Sequence, residues 1–215
     1  MESNSEIKEM GFRSVSSEWK PAVIATLIYG IVVIVINVVG GAFNTQDTSM
    51  MAVYGGIDLL LSLFLVLPLQ FAYTLSMLEF YRGDKDGATS NMFSYFSGGY
   101  SRALSLGCLK WVYELLWSLL FFIPGVVKHY SYAMSFYIAK DNQDLTAEQS
   151  IQASMKIMDG HKMDLFLLDL SFIGWILLSC LTMGVGFLFV TPYMENAHAA
   201  FYESLVDGGT ISVVQ

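Results

Sequence analysis

Long apolar stretches separated by short polar or glycine-containing breaks constrain the fold of this chain more than any other feature. The first stretch covers residues 22–43 and is interrupted only by Asn37 and a few small residues. It is long enough to cross a bilayer, which takes about 20 predominantly apolar residues. Across the chain 54% of residues are hydrophobic and 14% are charged, whereas about a quarter are charged in a typical soluble domain. The sequence therefore predicts an all-α, polytopic membrane helical bundle.

Six such stretches predict six transmembrane helices arranged as three hairpins, in a membrane domain covering residues 21–205. The predicted spans are residues 22–43, 52–78, 103–123, 125–140, 163–181 and 185–204. Turn signals separate several of them; these are a polar loop at 44–49, a charged turn at 82–87, Pro124-Gly125, and Gly184 with Gly186. Residues 1–20 are predicted to be a cytoplasmic leader that can form an interfacial helix, and residues 206–215 a cytoplasmic tail.

An amphipathic helix is predicted between the fourth and fifth spans, on the cytoplasmic side. Thr146 and Gln149 have the spacing of a capping box, and Gly160 offers a C-cap. The apolar residues between these caps share one helical face; they are Ala147, Ile151, Met155 and Met158. Such a helix can dock a partner or sense lipid headgroups, but a connector lying on the protein's own inner face is the favoured interpretation.

The distribution of basic residues predicts the orientation of the spans. Nine basic residues fall in the leader and in the loops after the second and fourth spans, and the other three connecting or terminal segments contain none. They are Lys8, Arg13, Lys20, Arg82, Lys85, Arg102, Lys140, Lys156 and Lys162. Positive charge is retained on the cytoplasmic side of membrane proteins, so both termini are expected to be cytoplasmic.

Ionisable residues inside the predicted spans are the candidate functional residues, because such groups are costly at membrane depth and are functional by default. Lys110 and Glu114 recur at helical spacing on the third span, and Glu195 and His198 on the sixth. The full set of polar-core or ligand candidates is Asp58, Lys110, Glu114, Lys128, Tyr132, Asp169, Glu195 and His198. These side chains can line a water-accessible pathway or a ligand pocket, or they can bond between helices and only fix their packing.

Depth along the spans predicts that these residues form two layers. Counting about 1.5 Å per residue, an inner network at or below the midplane contains Lys110, Glu114, Asp169, Glu195 and His198. In the outer half, Asp58 is expected to pair with Lys128, and His129 is expected nearby.

A faint repeat links the three inward-running spans. Pro68, Pro124 and Pro192 each precede a Phe-Tyr pair near the end of the helix. The repeat is consistent with three hairpins derived from one ancestral unit, with their proline kinks aligned in space. Alternatively, prolines are simply tolerated in membrane helices and aromatic pairs mark the interface.

A series of short motifs resembles a known family. The motifs are IPGVVK at 123–128, YSYAM at 130–134, DN at 141–142, GHK at 160–162, LSFIGW at 170–175, TPY at 191–193 and AFY at 200–202. They resemble a family of bacterial integral membrane proteins known as domain of unknown function nine hundred seventy-five. The resemblance implies a multi-spanning protein of the bacterial cytoplasmic membrane, loosely similar to the membrane region of some glycerophosphodiester phosphodiesterases. It implies no reaction and no catalytic residue.

Enzyme motifs are absent from the sequence. It contains no phosphate-binding glycine loop, no HExxH, no GxSxG and no Cys/His ligand spacing, so we expect no catalytic residues, no metal and no cofactor. Its net charge of −8 and its scattered basic residues argue against a nucleic-acid partner, which requires clustered Lys and Arg.

Three functional hypotheses remain. The leading one is a non-enzymatic scaffold, regulator or protective factor that acts through membrane lipids, a membrane protein partner or a second copy of the chain. The alternative is a small transporter or channel-like protein that uses the inner network around Glu114 and Glu195. An intramembrane lipid-handling enzyme is a distant third.

Overall fold

The regular structure is helical throughout residues 2–42, 48–120 and 122–207, which are the residues that the computed structural model describes. The helices are α1 (Asn4–Ser17), α2 (Trp19–Ala42), α3 (Thr48–Leu61), α4 (Leu67–Arg82), α5 (Ala88–Gly98), α6 (Tyr100–Leu120), α7 (Phe122–Ser131), α8 (Ser135–Asp141), α9 (Ala147–Ile157), α10 (Lys162–Leu170), α11 (Ile173–Leu181) and α12 (Phe187–Asp207). The predicted end of the first span at Phe43, most of the predicted loop at 44–49, and positions 208–215 of the predicted tail lie outside the described residues.

Three helical stretches are long and apolar enough to cross a membrane. They are Trp19–Val38, Ala52–Arg82 and Lys162–Leu181, and they correspond to the first, second and fifth predicted spans. The all-helical fold is therefore as predicted, and three of the six apolar spans meet this criterion among the described residues.

The exposure of apolar side chains changes from one end of a helix to the other. In α6, Ala103 and Leu106 are buried, whereas Leu115, Leu116 and Leu119 further along are exposed. In α12 the order is reversed, because Phe187 and Phe189 are exposed and residues 199–202 are fully buried. Most of the exposed large apolar residues lie on α2, α3, the second half of α6, α7, α10, α11 and the start of α12. Monomeric soluble proteins rarely expose so much contiguous apolar surface. We call these segments the apolar-surfaced part and the remainder the packed part.

The second predicted span contains a π-helical turn, Ser62–Val66, between α3 and α4. Pro68 follows it in the first turn of α4. Proline has no N–H to donate, so it cannot bond to the Phe64 carbonyl four residues earlier. The Tyr100 hydroxyl donates to that carbonyl at 2.7 Å and replaces the missing bond. Pro68 is thus tolerated as predicted, because a side chain from α6 satisfies the freed carbonyl.

The fourth predicted span is not the continuous helix expected over 125–140. It is broken into α7 and α8 by a turn at residues 132–134. In an α-helix the Met134 N–H would bond to residue 130, and the Ser131 carbonyl would accept from residue 135. Instead the Ser154 hydroxyl of α9 accepts from the Met134 N–H at 3.2 Å and donates to the Ser131 carbonyl at 2.8 Å. One serine therefore occupies two places in the broken hydrogen-bond ladder.

Pro124-Gly125 lies within the first turn of α7 and not between two helices, which corrects the predicted boundary. Helix α6 ends at Leu120 and α7 begins at Phe122. Proline suits a first helical turn because its missing N–H would have no partner there. Gly125 lets α7 approach α6 closely, since an added Cβ would lie 3.0 Å from the Ser118 Cα.

The glycines near residue 185 shape the connection from α11 to α12. Gly184 has a φ of +91°, a conformation that L side chains rarely adopt. Gly186 allows a close approach, because an added Cβ would lie 2.7 Å from the Ser179 Cα on α11. Pro192 lies inside α12 and is buried.

The Phe-Tyr pairs of the faint repeat lie mainly in the core. Phe80, Phe201 and Tyr202 are fully buried, and Tyr137 stacks on Tyr202 with ring centroids 5.1 Å apart. These aromatic residues join α4, α8 and α12 in the packed part.

Two helices at the molecule's polar surface are docked on the bundle. Helix α1 lies against α12, where an added Cβ on Gly11 would be 2.7 Å from the Ala197 nitrogen.

Helix α9 begins with the predicted capping box at Thr146 and Gln149, and its residues Ile151 and Ile157 are buried against neighbouring helices. It therefore packs on the protein itself, in keeping with the favoured interpretation. Helix α5 was not predicted; the N–H of Gly87, which immediately precedes it, donates to Asp84 Oδ1 at 3.1 Å.

Candidate functional site

A polar cavity of about 160 Å³ lies where α4, α6, α7, α10 and α12 meet. Its ionisable lining residues include Lys110, His129, Asp169, Glu195 and His198. Four of these five belong to the inner network predicted from the sequence. The helical polar stripes of separate spans therefore do converge on one site.

The shortest polar contact in this cavity joins α10 to α12. His198 Nε2 lies 2.6 Å from Asp169 Oδ1, a distance typical of a charge-assisted hydrogen bond. Tyr130 also lines the cavity and lies within interaction range of Asp169. Asp169 is thus held by groups from two other helices.

A second pair of contacts surrounds Glu114 on α6. Its Oε1 atom is 3.9 Å from Lys110 Nζ and 3.3 Å from His129 Nδ1. Even so, this oxygen is buried and has no hydrogen bond with acceptable geometry among the described residues. Lys110 Nζ also lies 4.8 Å from the centre of the Phe136 ring. Glu114 therefore extends the network beyond the residues that line the cavity. Its Oε1 atom has no hydrogen-bond partner among the described residues.

Glu195 on α12 interacts with residues of both the Asp169–His198 contact and the contacts around Glu114. Its carboxylate interacts with Thr74 of α4, His198 and Lys110. Glu114, Asp169 and Glu195 supply three carboxylates against the single lysine, Lys110. The local excess is two negative charges when all three carboxylates are ionised and the histidines are neutral. A site of this composition favours a proton or a small cation over an anion.

The predicted outer layer is wrong in two respects. His129 contacts Glu114 and lines the inner cavity, so it belongs to the network. Among the described side chains, Asp58 forms no ion pair with Lys128; the lysine amine lies 4.8 Å from the Trp117 ring centre instead. The depth count started the fourth span at residue 125, whereas α7 begins at Phe122, so His129 lies nearly one helical turn further from the reversal than the count assumed.

Tyr132 also lies elsewhere than expected. Its side chain is buried in the cluster that joins α6 and α9, and its ring centroid is 6.2 Å from that of Tyr113. It is a packing residue and does not line the polar cavity.

A second charged cluster, which was not predicted from the sequence, lies in the packed part. Arg82 donates two hydrogen bonds to Asp141, at 2.8 and 2.7 Å, and one to Glu203 at 2.6 Å. The Tyr202 hydroxyl also donates to Asp141 at 2.8 Å. Burial alone would raise the pKa of Asp141, but the bonds from Arg82 and Tyr202 outweigh it and hold that pKa below its ordinary value. The cluster joins α4, α8 and α12. Its only signal in the sequence is that the acidic residues Asp141 and Glu203 follow Arg82 further along the chain.

No metal centre accompanies these clusters in the part of the chain that the structure describes. No group of three or more His, Cys, Asp or Glu side chains there could hold a metal ion.

Comparison with known proteins supports the family resemblance over part of the chain. Residues 122–208 match the family model described as "Protein of unknown function (DUF975)", which confirms the predicted resemblance there. No curated protein and no solved structure matches the chain. The matched segment contains His129, Asp169, Glu195 and His198, whereas Lys110 lies outside it.

Proposed function

We propose, with the family match over residues 122–208 as the premise, that this chain is a multi-pass protein of the bacterial cytoplasmic membrane with both termini inside. In this proposal six spans form three hairpins. Three apolar stretches that meet the length criterion support it. Exposed apolar side chains on α6, α7 and the start of α12 support the other three spans, as does the distribution of basic residues.

Within that membrane protein, the polar cavity binds a proton or a small cation, as in a small transporter or channel-like protein. The observation that carries this proposal is the grouping of Asp169 and Glu195 around a cavity of about 160 Å³, with Glu114 adjoining through Lys110 and His129. A water molecule takes about 30 Å³ in the liquid, so this space suits a few waters or one small cation.

Flux measurements on the purified protein in proteoliposomes test this proposal. Proton or monovalent cation flux above that of empty vesicles is expected, and Glu195→Gln should reduce it at least about tenfold because the substitution removes an ionisable carboxyl group from the cavity. Asp58→Asn is the matched control, since Asp58 lies in a proposed span but does not line the cavity. Its flux should equal that of the wild type. Flux no greater than in empty vesicles would contradict the transport proposal.

A scaffold or regulator that acts through lipids or a protein partner is the second candidate. It is favoured by the internal pairing of the cavity residues, because the Asp169–His198 bond and the Lys110–Glu114–His129 contacts join helices without any ligand. Under this alternative, Glu195→Gln would leave the cellular phenotype intact. In-membrane crosslinking would then recover a membrane protein partner or a second copy of the chain.

A further inference from the structure

A groove outside the polar cavity is lined by three lysines. It has a volume of about 550 Å³ and lies between α7, α9 and the start of α10. The lysines are Lys128, Lys156 and Lys162, and the other polar lining residues are Ser131, Gln152 and Asp159. The sequence predicted Lys128 in the outer half of the membrane and the other two lysines in a cytoplasmic loop.

The charges in this groove are unbalanced. Asp159 Oδ1 lies 3.3 Å from Lys162 Nζ and neutralises one lysine. Within the described residues, Lys128 and Lys156 have no carboxylate partner. Three lysines and one aspartate leave an excess of two positive charges, which favours an anionic ligand. Gln152 Nε2 donates to Glu148 Oε1 at 3.2 Å, and its second amide hydrogen can donate to anionic oxygens.

The groove also lies at the edge of the apolar-surfaced part. Val127 forms part of its wall and is exposed, and Met163 beside Lys162 is exposed as well. Trp117, which Lys128 faces, is partly exposed. On the other side, Gln152 and Lys156 belong to the polar face of α9. This change from apolar to basic surface is typical of the membrane–water interface, where aromatic and lysine side chains anchor a protein.

We infer that this groove binds the phosphate-bearing headgroup of an anionic lipid. The inference rests on the membrane location proposed above but not on the transport activity. The lysines neutralise the phosphate, and the exposed Val127 side provides an apolar surface for the acyl chains. Basic pockets between helices on the cytoplasmic side bind anionic headgroups in this way.

Lipid titration of the purified full chain, followed by native mass spectrometry, tests the inference. The protein is titrated with phosphatidylglycerol and, in parallel, with phosphatidylcholine. Phosphatidylglycerol should bind more tightly. Lys156→Gln/Lys162→Gln should reduce that preference by about fivefold per lysine, whereas Asp159→Asn should increase it because it removes the opposing charge.

Matched variants separate the site from general charge effects. Arg13→Gln/Lys20→Gln makes the same change in net charge at exposed positions outside the groove and should keep the wild-type preference. Lys156→Arg/Lys162→Arg keeps the charge and should also bind as the wild type does. An unchanged preference in Lys156→Gln/Lys162→Gln, with a wild-type circular dichroism spectrum, would overturn the inference.

Two further experiments show whether the bound phosphate belongs to a lipid and, if no lipid preference is seen, which of the two proposals has failed. If inorganic phosphate binds with the same lysine dependence while phosphatidylglycerol does not, the lipid assignment is wrong. In carbonate extraction of cell membranes the protein should stay in the pellet. Its release would contradict the proposed membrane location, whereas a pelleted protein without lipid preference contradicts only the groove.

Discussion

At the scale of single residues, the contact between Asp169 and His198 is the best-defined feature of the polar cavity. It joins α10 to α12 at 2.6 Å, and both side chains are only about one quarter exposed. Removing either partner takes away this bond and leaves the other group partly buried with fewer partners, which costs more than the bond itself contributes. This asymmetry makes the pair suitable for a double-mutant cycle.

We expect Asp169→Asn and His198→Gln each to lower the free energy of unfolding by about 1–3 kcal/mol. The double variant should lose less than the sum, with a coupling energy of about 0.5–3 kcal/mol. Denaturant unfolding in detergent micelles, followed by circular dichroism, measures all four proteins. Strict additivity would mean that the two side chains do not interact in the folded protein.

Asp141 gives the protein a predictable response to acid. Its pKa is lowered from 3.8 in the folded state, so the folded protein holds fewer protons on this group than the unfolded chain does. The resulting stabilisation is fully present above pH 3.8 and is lost as the pH falls through the lowered folded-state pKa.

Between about pH 5 and pH 2, Asp141→Asn should therefore show a smaller drop in melting temperature than the wild type. Its melting temperature at neutral pH should be lower, because the asparagine cannot accept two bonds from Arg82. Asp144→Asn, at an exposed neighbouring position, should follow the wild-type profile. Identical acid profiles for Asp141→Asn and the wild type would refute the assigned role of this carboxylate.

At the scale of helices, a feature could be predicted from the sequence where the contacts that determine it are local along the chain. The α9 capping box uses residues three apart, and the sequence predicted it correctly. The break in the fourth span depends on Ser154, which is 23 residues from Ser131, so no periodic pattern within the span reveals it. The cavity follows the same rule, because spacing revealed the stripes on α6 and α12 but not that His129 would join them.

The docking of α1 on α12 also depends on one small residue. A Cβ added to Gly11 would lie 2.7 and 2.8 Å from backbone atoms of Ala197, which no side-chain rotation can relieve. We expect Gly11→Ala to destabilise the protein by about 1–3 kcal/mol and to expose α1 to limited proteolysis.

Gly98→Ala is the control for Gly11→Ala, since no described atom apart from its chain neighbours and the adjacent backbone of its own helix lies within 4 Å of its added Cβ. It lies at the end of α5 and should be neutral or slightly stabilising. Equal protease sensitivity of the two variants would mean that α1 does not approach α12 as closely as described.

At the scale of the whole molecule, the prediction with the widest consequence is the orientation in the membrane. A topology reporter fused after Gln215 should be active only in the cytoplasm, and one inserted at Thr45 should be active only outside. Both positions lie beyond the described residues, so the prediction rests on the basic-residue distribution. An external signal from the Gln215 fusion would reverse the proposed topology, and matching signals at both sites would change the number of spans.

The place of Ser154 between α7 and α8 has a mechanical consequence for the whole bundle. Its hydroxyl is bonded to both sides of the 132–134 turn, and residues of that turn line the polar cavity. The same helix, α9, forms one wall of the lysine groove. A displacement of α9 therefore has to pull on the cavity wall or break these two bonds. A lipid headgroup that displaces α9 on entering the groove is therefore expected to change the free energy of binding in the cavity, and the effect would be equal in both directions.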